Sequence, residues 1–227
     1  MNLDRIRIHS PQVISIALLS ISLAGCASTL SVRPALPTGR AATTSSAKVG
    51  IFIPPSVVNR EEEIKPGSGI WPGTKYTLKA GEILSQDLVN LTRRHFPNSG
   101  PAEKSIDGRW EYVAEFRNLK PFVEAGTLRS VAPLQFSLRN SKTGKEIDSV
   151  RLSGEGEAPG GRISRSMLGR LTEKKALEKT LTEAYTDLYG RLDGYLARVA
   201  AKESQPPKAH RPYRRGKEGK GARKSPN

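Results

Sequence analysis

Residues 134–152, LQFSLRNSKTGKEIDSVRL, contain two short alternating patterns on either side of a run of turn-forming residues. Apolar side chains occupy every second position before the turn and recur after it, which is typical of half-buried β-strands. The turn itself spans residues 140–145, NSKTGK, and contains Asn and Gly. The apolar positions are Leu134, Phe136, Leu138, Ile147, Val150 and Leu152. This part of the chain therefore predicts a β-hairpin.

The segments on either side of the hairpin predict two more strands and two helices. Val49–Ile53 is a short apolar run that Pro54 ends, and Trp110–Phe116 alternates like a half-buried strand. Helical spacing of apolar residues runs from about residue 78 to 95 and again from about 166 to 201. The resulting order, β-α-β-β-β-α, predicts an α+β fold. We expect a two-layer sandwich with an antiparallel sheet and both helices on one face.

The composition limits the chain to one modest core. Only 36% of its 227 residues are apolar, the formal net charge is +15, and there is a single cysteine. Nearly half of the excess charge lies in residues 202–227, which hold nine Lys or Arg and two Glu. We expect one domain over residues 48–201 and a disordered basic tail over residues 202–227. These values exclude a disulfide scaffold and a multispan membrane protein.

The N-terminus has the pattern of a secretory signal peptide. Arg5 and Arg7 precede an eleven-residue apolar run, Val13–Leu23, which is too short to span a bilayer. The run ends in Leu23-Ala24-Gly25-Cys26, which resembles the lipobox of bacterial lipoproteins. The resemblance implies that residues 1–25 are removed and that Cys26 carries diacylglycerol, with its new amino group acylated by a fatty acid such as palmitate. The alternatives are an ordinary signal peptide with an incidental cysteine, or an uncleaved anchor.

The lipobox resemblance also implies a location. Ala27 follows Cys26, and in enteric lipoproteins an Asp at that position retains the protein in the inner membrane, so Ala27 favours the outer membrane. The domain would then face the periplasm. Residues 26–47 are rich in Ser, Thr, Ala and Pro without a hydrophobic period, which predicts a lipidated end followed by a flexible tether. Such a tether would reach about 25 Å.

The motifs of several enzyme classes are incomplete in this sequence. Ser45-Ser46-Ala47-Lys48 and Lys142-Thr143-Gly144 match patterns of penicillin-binding proteins, but they lie in the predicted tether and the predicted turn. Glu111 and Glu115 share one face of a strand, where charged residues usually form the solvated side of a sheet. We interpret Gly154–Gly161 as a flexible loop because Pro159 and two Glu residues disrupt any nucleotide-binding pattern.

The sequence therefore predicts no enzyme and no cofactor. His95 and His210 are the histidines left after cleavage, so a metal site would need the tail to fold back. The element order behind a lipobox resembles small envelope lipoproteins that assist ABC transport or outer-membrane assembly. The resemblance implies an accessory protein that binds an unknown envelope partner. The alternatives are a cell-wall hydrolase or its activator, and a passive structural lipoprotein.

Two features are candidate binding sites. A long loop from Pro54 to about Tyr76 carries Ile70, Trp71 and Tyr76, large side chains of the kind that anchor protein interfaces. The tail could bind anionic lipid or cell-wall polymer, since the periplasm holds little nucleic acid. Its basic residues, apart from Lys202 and Lys208, are Arg211, Arg214, Arg215, Lys217, Lys220, Arg223 and Lys224. A tail that only solubilises the protein remains the alternative.

Overall fold

The computed structural model describes residues 28–41, 43–65, 75–118, 120–124, 129–157 and 168–204. Within this part of the chain the helices are α1 (Pro55–Val58), α2 (Ala80–His95) and α3 (Leu168–Glu203). The strands are β1 (Ser28–Thr29), β2 (Val49–Phe52), β3 (Glu62–Ile64), β4 (Tyr76–Leu78), β5 (Ser99–Pro101), β6 (Tyr112–Asn118), β7 (Phe122–Val123), β8 (Arg129–Asn140) and β9 (Glu146–Glu157).

The predicted hairpin is confirmed as β8 and β9, which are twelve residues each. Leu134 lies opposite Leu152 and Phe136 opposite Val150, so these four apolar residues share a face, whereas Ile147 lies at an irregularity in the pairing and is 44% exposed. The side-chain oxygen of Asn140 accepts hydrogen bonds from the next turn residues, and Gly144 has a φ of 69°, which favours glycine. The turn chemistry in the sequence therefore fixes the register of the longest pair of strands.

The hairpin belongs to a six-stranded mixed sheet. The strand order is β5-β2-β6-β8-β7, and β9 pairs with the other side of β8. The prediction of an antiparallel sheet is wrong for β2, which runs parallel to both β5 and β6. The reason is that α2 lies between β2 and β5 in the chain, and a helical crossover returns the next strand in the same direction.

The sequence did not predict the second sheet. β1 pairs in parallel with β4, and β4 pairs in antiparallel with β3. These strands have two or three residues each and were assigned to the tether and to the loop before Tyr76. Their apolar residues are few, but Ile64 and Leu78 are buried in the common core. The predicted loop is therefore largely structured up to Lys65 and from Lys75 onward.

Both predicted amphipathic helices are confirmed, and the α+β sandwich with them. In α2, Leu84, Leu88 and Leu91 are fully buried. α3 packs against β8 and β9 and also contacts α2. The predicted stripe is buried, namely Leu177, Leu181, Ala184, Leu188, Leu192, Tyr195 and Val199, and the buried face also includes Tyr185, Tyr189, Leu196 and Ala200. Phe136 of β8 joins the layers, with its ring 5.5 Å from that of Tyr195.

Gly154 and Gly156 belong to β9, so the prediction of a flexible loop is wrong for residues 154–157. Both face α3. A methyl group on Gly154 would overlap the backbone of Ala184 and Leu188, and one on Gly156 would overlap that of Thr180. Alternate glycines on the inner face of β9 thus allow the helix backbone to lie directly on the strand.

Candidate functional site

The segment from Ser28 to Ala47 packs on the domain and does not form a free tether. Leu30 and Val32 are buried in the core, following β1. The Ser31 amide donates a hydrogen bond of 2.8 Å to Glu178 Oε1, and the Ala35 amide donates one of 3.0 Å to Thr186 Oγ1. We call residues 28–47 the docked segment. The tether prediction is wrong because side chains of α3 bind the backbone of a segment that has few apolar residues of its own.

The end of α2 holds the second half of the docked segment. The Ser45 amide donates to the His95 carbonyl oxygen, which lies in the last turn and has no partner within the helix. Arg94 donates to the Pro37 carbonyl oxygen, and the ring nitrogen Nδ1 of His95 lies 3.0 Å from that of Thr43. Contacts with two helices therefore fix the docked segment along its length.

His95 is the centre of these contacts. Its side chain is 1% exposed, and Nε2 lies 2.9 Å from Asp193 Oδ1 on α3. Arg94 Nε lies 3.2 Å from the same oxygen. Both ring nitrogens thus face oxygen atoms of the protein, one on the docked segment and one on α3. The arrangement links α2, α3 and the docked segment, and it leaves neither nitrogen open to a substrate or metal ion.

The residues of the penicillin-binding pattern are not arranged for acyl transfer. Ser45 is buried beside the end of α2, and its hydroxyl accepts a hydrogen bond from the Ala47 amide. It does not begin a helix, as that chemistry requires. Lys142, Thr143 and Gly144 lie in the turn between β8 and β9, as predicted.

Glu115 of β6 and Glu111, which directly precedes this strand, have separate partners. Glu115 is buried, and its oxygens lie 2.9 Å from Arg117 Nε and 3.4 Å from Arg139 Nε. The prediction of a solvated position is therefore wrong for Glu115. Glu111 is exposed and accepts a hydrogen bond from the Lys48 amide. Each carboxylate stabilises a neighbouring group, and together they do not form an acid and base pair.

One end of the small sheet combines basic and apolar side chains around a groove. The groove has a volume of about 420 Å³ and lies between the end of β3 and β7. Lys65, Lys75 and Lys120 have side chains that are 68%, 53% and 63% exposed. Phe122 is 49% exposed, which is unusual for a phenylalanine. We call these four residues the lysine–phenylalanine edge.

The charges at this edge interact with one another. Glu63 lies 2.9 Å from Lys65 Nζ and 3.5 Å from Lys75 Nζ. The hydrogen bond from Lys65 is the main reason that the pKa of Glu63 lies below its ordinary value. Lys120 Nζ lies 3.9 Å from Glu62, whose carboxylate also binds Arg60. Lys65, Lys75, Lys120 and Arg60 outnumber Glu61, Glu62 and Glu63 by one, so the edge keeps a positive charge.

Only one residue of the predicted partner site lies in the described part of the chain. Tyr76 is 2% exposed within β4, so its assignment as a surface contact is wrong. Its side chain faces the core because the strand alternates at that position. Ile70 and Trp71, the lipidation site Cys26 and the seven basic tail residues all lie outside the described residues. The segment with Ile70 and Trp71 joins Lys65 to Lys75.

No pattern in the sequence indicates the lysine–phenylalanine edge. Lys120-Pro121-Phe122-Val123 contains only two apolar side chains, which is too few for a periodic pattern. In the described residues no group of three His, Cys, Asp or Glu side chains is arranged to hold a metal ion. Among the helices that are described, none has the length and apolar character needed to cross a membrane.

Comparison with known proteins gives only distant similarities. No family model and no curated protein matches the chain. A Xanthomonas campestris protein of the DUF330 family model is 12% identical, with a TM-score of 0.49, over 79% of this chain and 98% of that one. A PelC dodecamer subunit from Paraburkholderia phytofirmans is 19% identical, with a TM-score of 0.32, over 65% and 96%. Lipoprotein GNA1162 from Neisseria meningitidis is 11% identical, with a TM-score of 0.28, over 66% and 95%. Similarities this distant do not identify a shared function.

Proposed function

We propose that this chain is a lipid-anchored lipoprotein of the bacterial cell envelope that binds a partner and catalyses no reaction. One observation carries the proposal: the only cysteine of the chain, Cys26, stands at the cysteine position of the lipobox Leu23-Ala24-Gly25-Cys26. Three acyl chains would hold the protein on its membrane almost irreversibly, since each buried methylene group contributes about 0.8 kcal/mol. Ala27 supports the outer membrane as that membrane, with the domain in the periplasm.

The docked segment also limits how far the domain can lie from the membrane. Only Ala27 separates Cys26 from Ser28, the first residue of β1, and the two extended Cα-to-Cα steps from Cys26 to Ser28 span at most about 7 Å. The domain would therefore lie at the membrane surface, and not about 25 Å away from it as a free tether would allow. An accessory protein held in this way would meet its partner close to the lipid headgroups.

We propose one contact with such a partner and a second with an anionic surface. The segment with Ile70 and Trp71 leaves the small sheet at Lys65 and returns at Lys75, next to the start of β1. A membrane-proximal envelope protein could bind it through these large side chains. The basic tail, with Arg211 to Lys224, would add adhesion to anionic lipid or cell-wall polymer.

The lipidation proposal is tested by metabolic labelling with a radioactive fatty acid. We expect the wild-type chain to incorporate the label and Cys26→Ser to incorporate none. A matched control is the double variant Cys26→Ser with Ser28→Cys, which restores a thiol two residues beyond the lipobox. It should also remain unlabelled. Labelling of Cys26→Ser would overturn the lipid anchor, and with it the proposed function.

The partner contact is tested by crosslinking in intact cells. Trp71→Ala should weaken capture of an envelope protein by about 30-fold or more, because hot-spot aromatic residues contribute about 2 kcal/mol or more. The melting temperature should stay unchanged. Trp110 is the control, because its ring packs over Gly50 and Gly100 of the large sheet. Trp110→Ala should lower the melting temperature clearly. If Trp71→Ala instead unfolds the protein, Trp71 is structural and the contact is wrong.

A further inference from the structure

The pairing of the small sheet fixes which surface of the domain lies beside the anchor. Ser28 lies opposite Tyr76 in the parallel pair of β1 and β4, and Tyr76 lies opposite Ile64 in the antiparallel pair with β3. Lys75 and Lys65 are the next residues outward from this row. The chain therefore enters β1 from the same end of the sheet at which these two lysines stand.

The rest of the lysine–phenylalanine edge lies along β3. Lys120 Nζ lies 3.9 Å from Glu62, at the end of β3 opposite to Lys65, and one groove is lined by Lys65, Lys120 and Phe122. Neighbouring strands lie about 4.8 Å apart, so β3 is only about 10 Å from β1. The whole edge is thus within a short distance of the point where the lipidated end would emerge.

The chemistry of this edge matches a lipid surface. Exposed lysines are attracted to anionic headgroups, and a half-exposed phenylalanine between them can enter the headgroup region. Glu63 lies between two of the lysines, and the edge remains positive by one charge when Arg60 and the three glutamates at 61–63 are included. Two independent features, the position of the chain end and charge complementarity, therefore indicate the same occupant.

We propose that Lys65, Lys75, Lys120 and Phe122 rest on the anionic lipid surface of the membrane that holds Cys26, and so fix the orientation of the domain. This inference rests on the proposed lipid anchor. It assigns to the edge a second, non-covalent membrane contact. The opposite end of the large sheet, with the turn between β8 and β9, would face away from the membrane. That turn carries the exposed Lys142 and Lys145, and Ile106, which is 52% exposed, packs beside its Gly144.

The test is amine labelling of the full lipidated chain in vesicles, read by mass spectrometry for each lysine. In vesicles with 30% anionic lipid we expect labelling of Lys65, Lys75 and Lys120 to slow about fivefold or more relative to detergent micelles. Labelling of Lys142 and Lys145 should not change. Equal labelling at both ends would overturn the proposal. Equal protection of the edge on neutral vesicles would also overturn it.

Matched variants separate the edge from the basic tail. Phe122→Ser with Lys120→Gln should restore fast labelling of Lys65 and Lys75, whereas Ile106→Ser with Lys142→Gln should leave them protected. If both variants behave alike, the tail alone determines the binding and the proposal fails. Protection found only in native envelope fractions, and absent from lipid vesicles, would identify a protein as the occupant and also overturn it.

The same measurement remains possible if the lipid anchor is wrong. Cys26 is the only thiol of the chain, so an unlipidated full chain can be coupled to vesicles that carry maleimide headgroups. Protection of the edge in that preparation would support the lipid contact while the acylation proposal fails. If acylation of Cys26 is established and the edge is not protected, the lipid contact is overturned while the acylation proposal stands.

Discussion

Substitution of Gly154 by alanine tests the close packing of α3 on β9. The new Cβ would lie 2.8 Å from Leu188 Cβ and closer to the backbone of Ala184 and Leu188. Carbon atoms prefer a separation of about 3.5 to 4.0 Å, so α3 would have to move away by about 1 Å or more. The neighbouring atoms belong to the backbone of a 36-residue helix and cannot rotate aside.

Overpacking of this kind destabilises a protein by about 1 to 3 kcal/mol, and a clash with helix backbone belongs at the upper end. Alanine in a strand recovers about 0.5 to 1 kcal/mol relative to glycine. We therefore expect Gly154→Ala to lower the free energy of unfolding by about 2 to 2.5 kcal/mol. For a domain of this size that corresponds to a decrease in melting temperature of about 5 to 10 °C.

The assay is thermal and urea unfolding, followed by circular dichroism. Gly190→Ala is the matched control, because Gly190 is exposed on α3 and its added Cβ would meet no atom within 4 Å. An alanine inside a helix should raise the stability by up to about 1 kcal/mol. A Gly154→Ala protein as stable as wild type, or an equal loss in Gly190→Ala, would refute the described packing.

Three further predictions concern the docked segment, pH and the tail. In urea unfolding, Leu30→Ala should lower the free energy of unfolding by about 2 to 3 kcal/mol, as for other buried leucines. The control Ser31→Ala should change it by less than about 0.5 kcal/mol, because the Ser31 side chain is exposed. Burial alone would raise the pKa of Asp148, but hydrogen bonds from Tyr195 and Lys202 keep it below its ordinary value. The ionised form of Asp148 therefore stabilises the fold above about pH 4, and this contribution is lost as the pH falls through the lowered pKa. Tyr195→Phe should destabilise the protein by about 1 to 2 kcal/mol at pH 7 and by less at pH 2 to 3. A chain that ends after Ser204 should keep its melting temperature, because Lys202 and Ser204 still contact Asp148 and Thr44, but its salt-dependent binding to anionic vesicles should weaken to the part that the lysine–phenylalanine edge provides.

Local patterns in the sequence were sufficient for the long elements. The hairpin of β8 and β9 follows from alternation around a turn, and α2 and α3 follow from helical spacing of apolar residues. Alternation and helical spacing are both set by residues that are close together in the sequence. They also determine most of the core, which is why the two-layer architecture could be predicted.

Features that depend on distant contacts could not be predicted. β1, β3 and β4 are too short to show a period, and the pairing that forms them joins Ser28 to Tyr76, far along the chain. The docked segment has the composition of a tether, but Glu178 and Thr186 of α3 bind its backbone. Gly154 resembled a loop residue because its role becomes apparent only when α3 is placed on the strand.

The same distinction between local patterns and distant contacts applies to the candidate site. Cys26 could be proposed as a lipidation site from the sequence because the lipobox is a contiguous motif. The edge formed by Lys65, Lys75, Lys120 and Phe122 is assembled from two sheets and has no contiguous signature. Tyr76 was misassigned because a three-residue strand gives no sign of which side chain faces inward.

Intact-mass measurement of the protein purified from cell membranes is the most direct test of the central claim. We expect a chain of residues 26–227 with diacylglycerol and one further acyl group on Cys26, and no species that retains residues 1–25. A membrane-bound protein that begins at Met1, or one in which Cys26 carries an unmodified thiol, would contradict it.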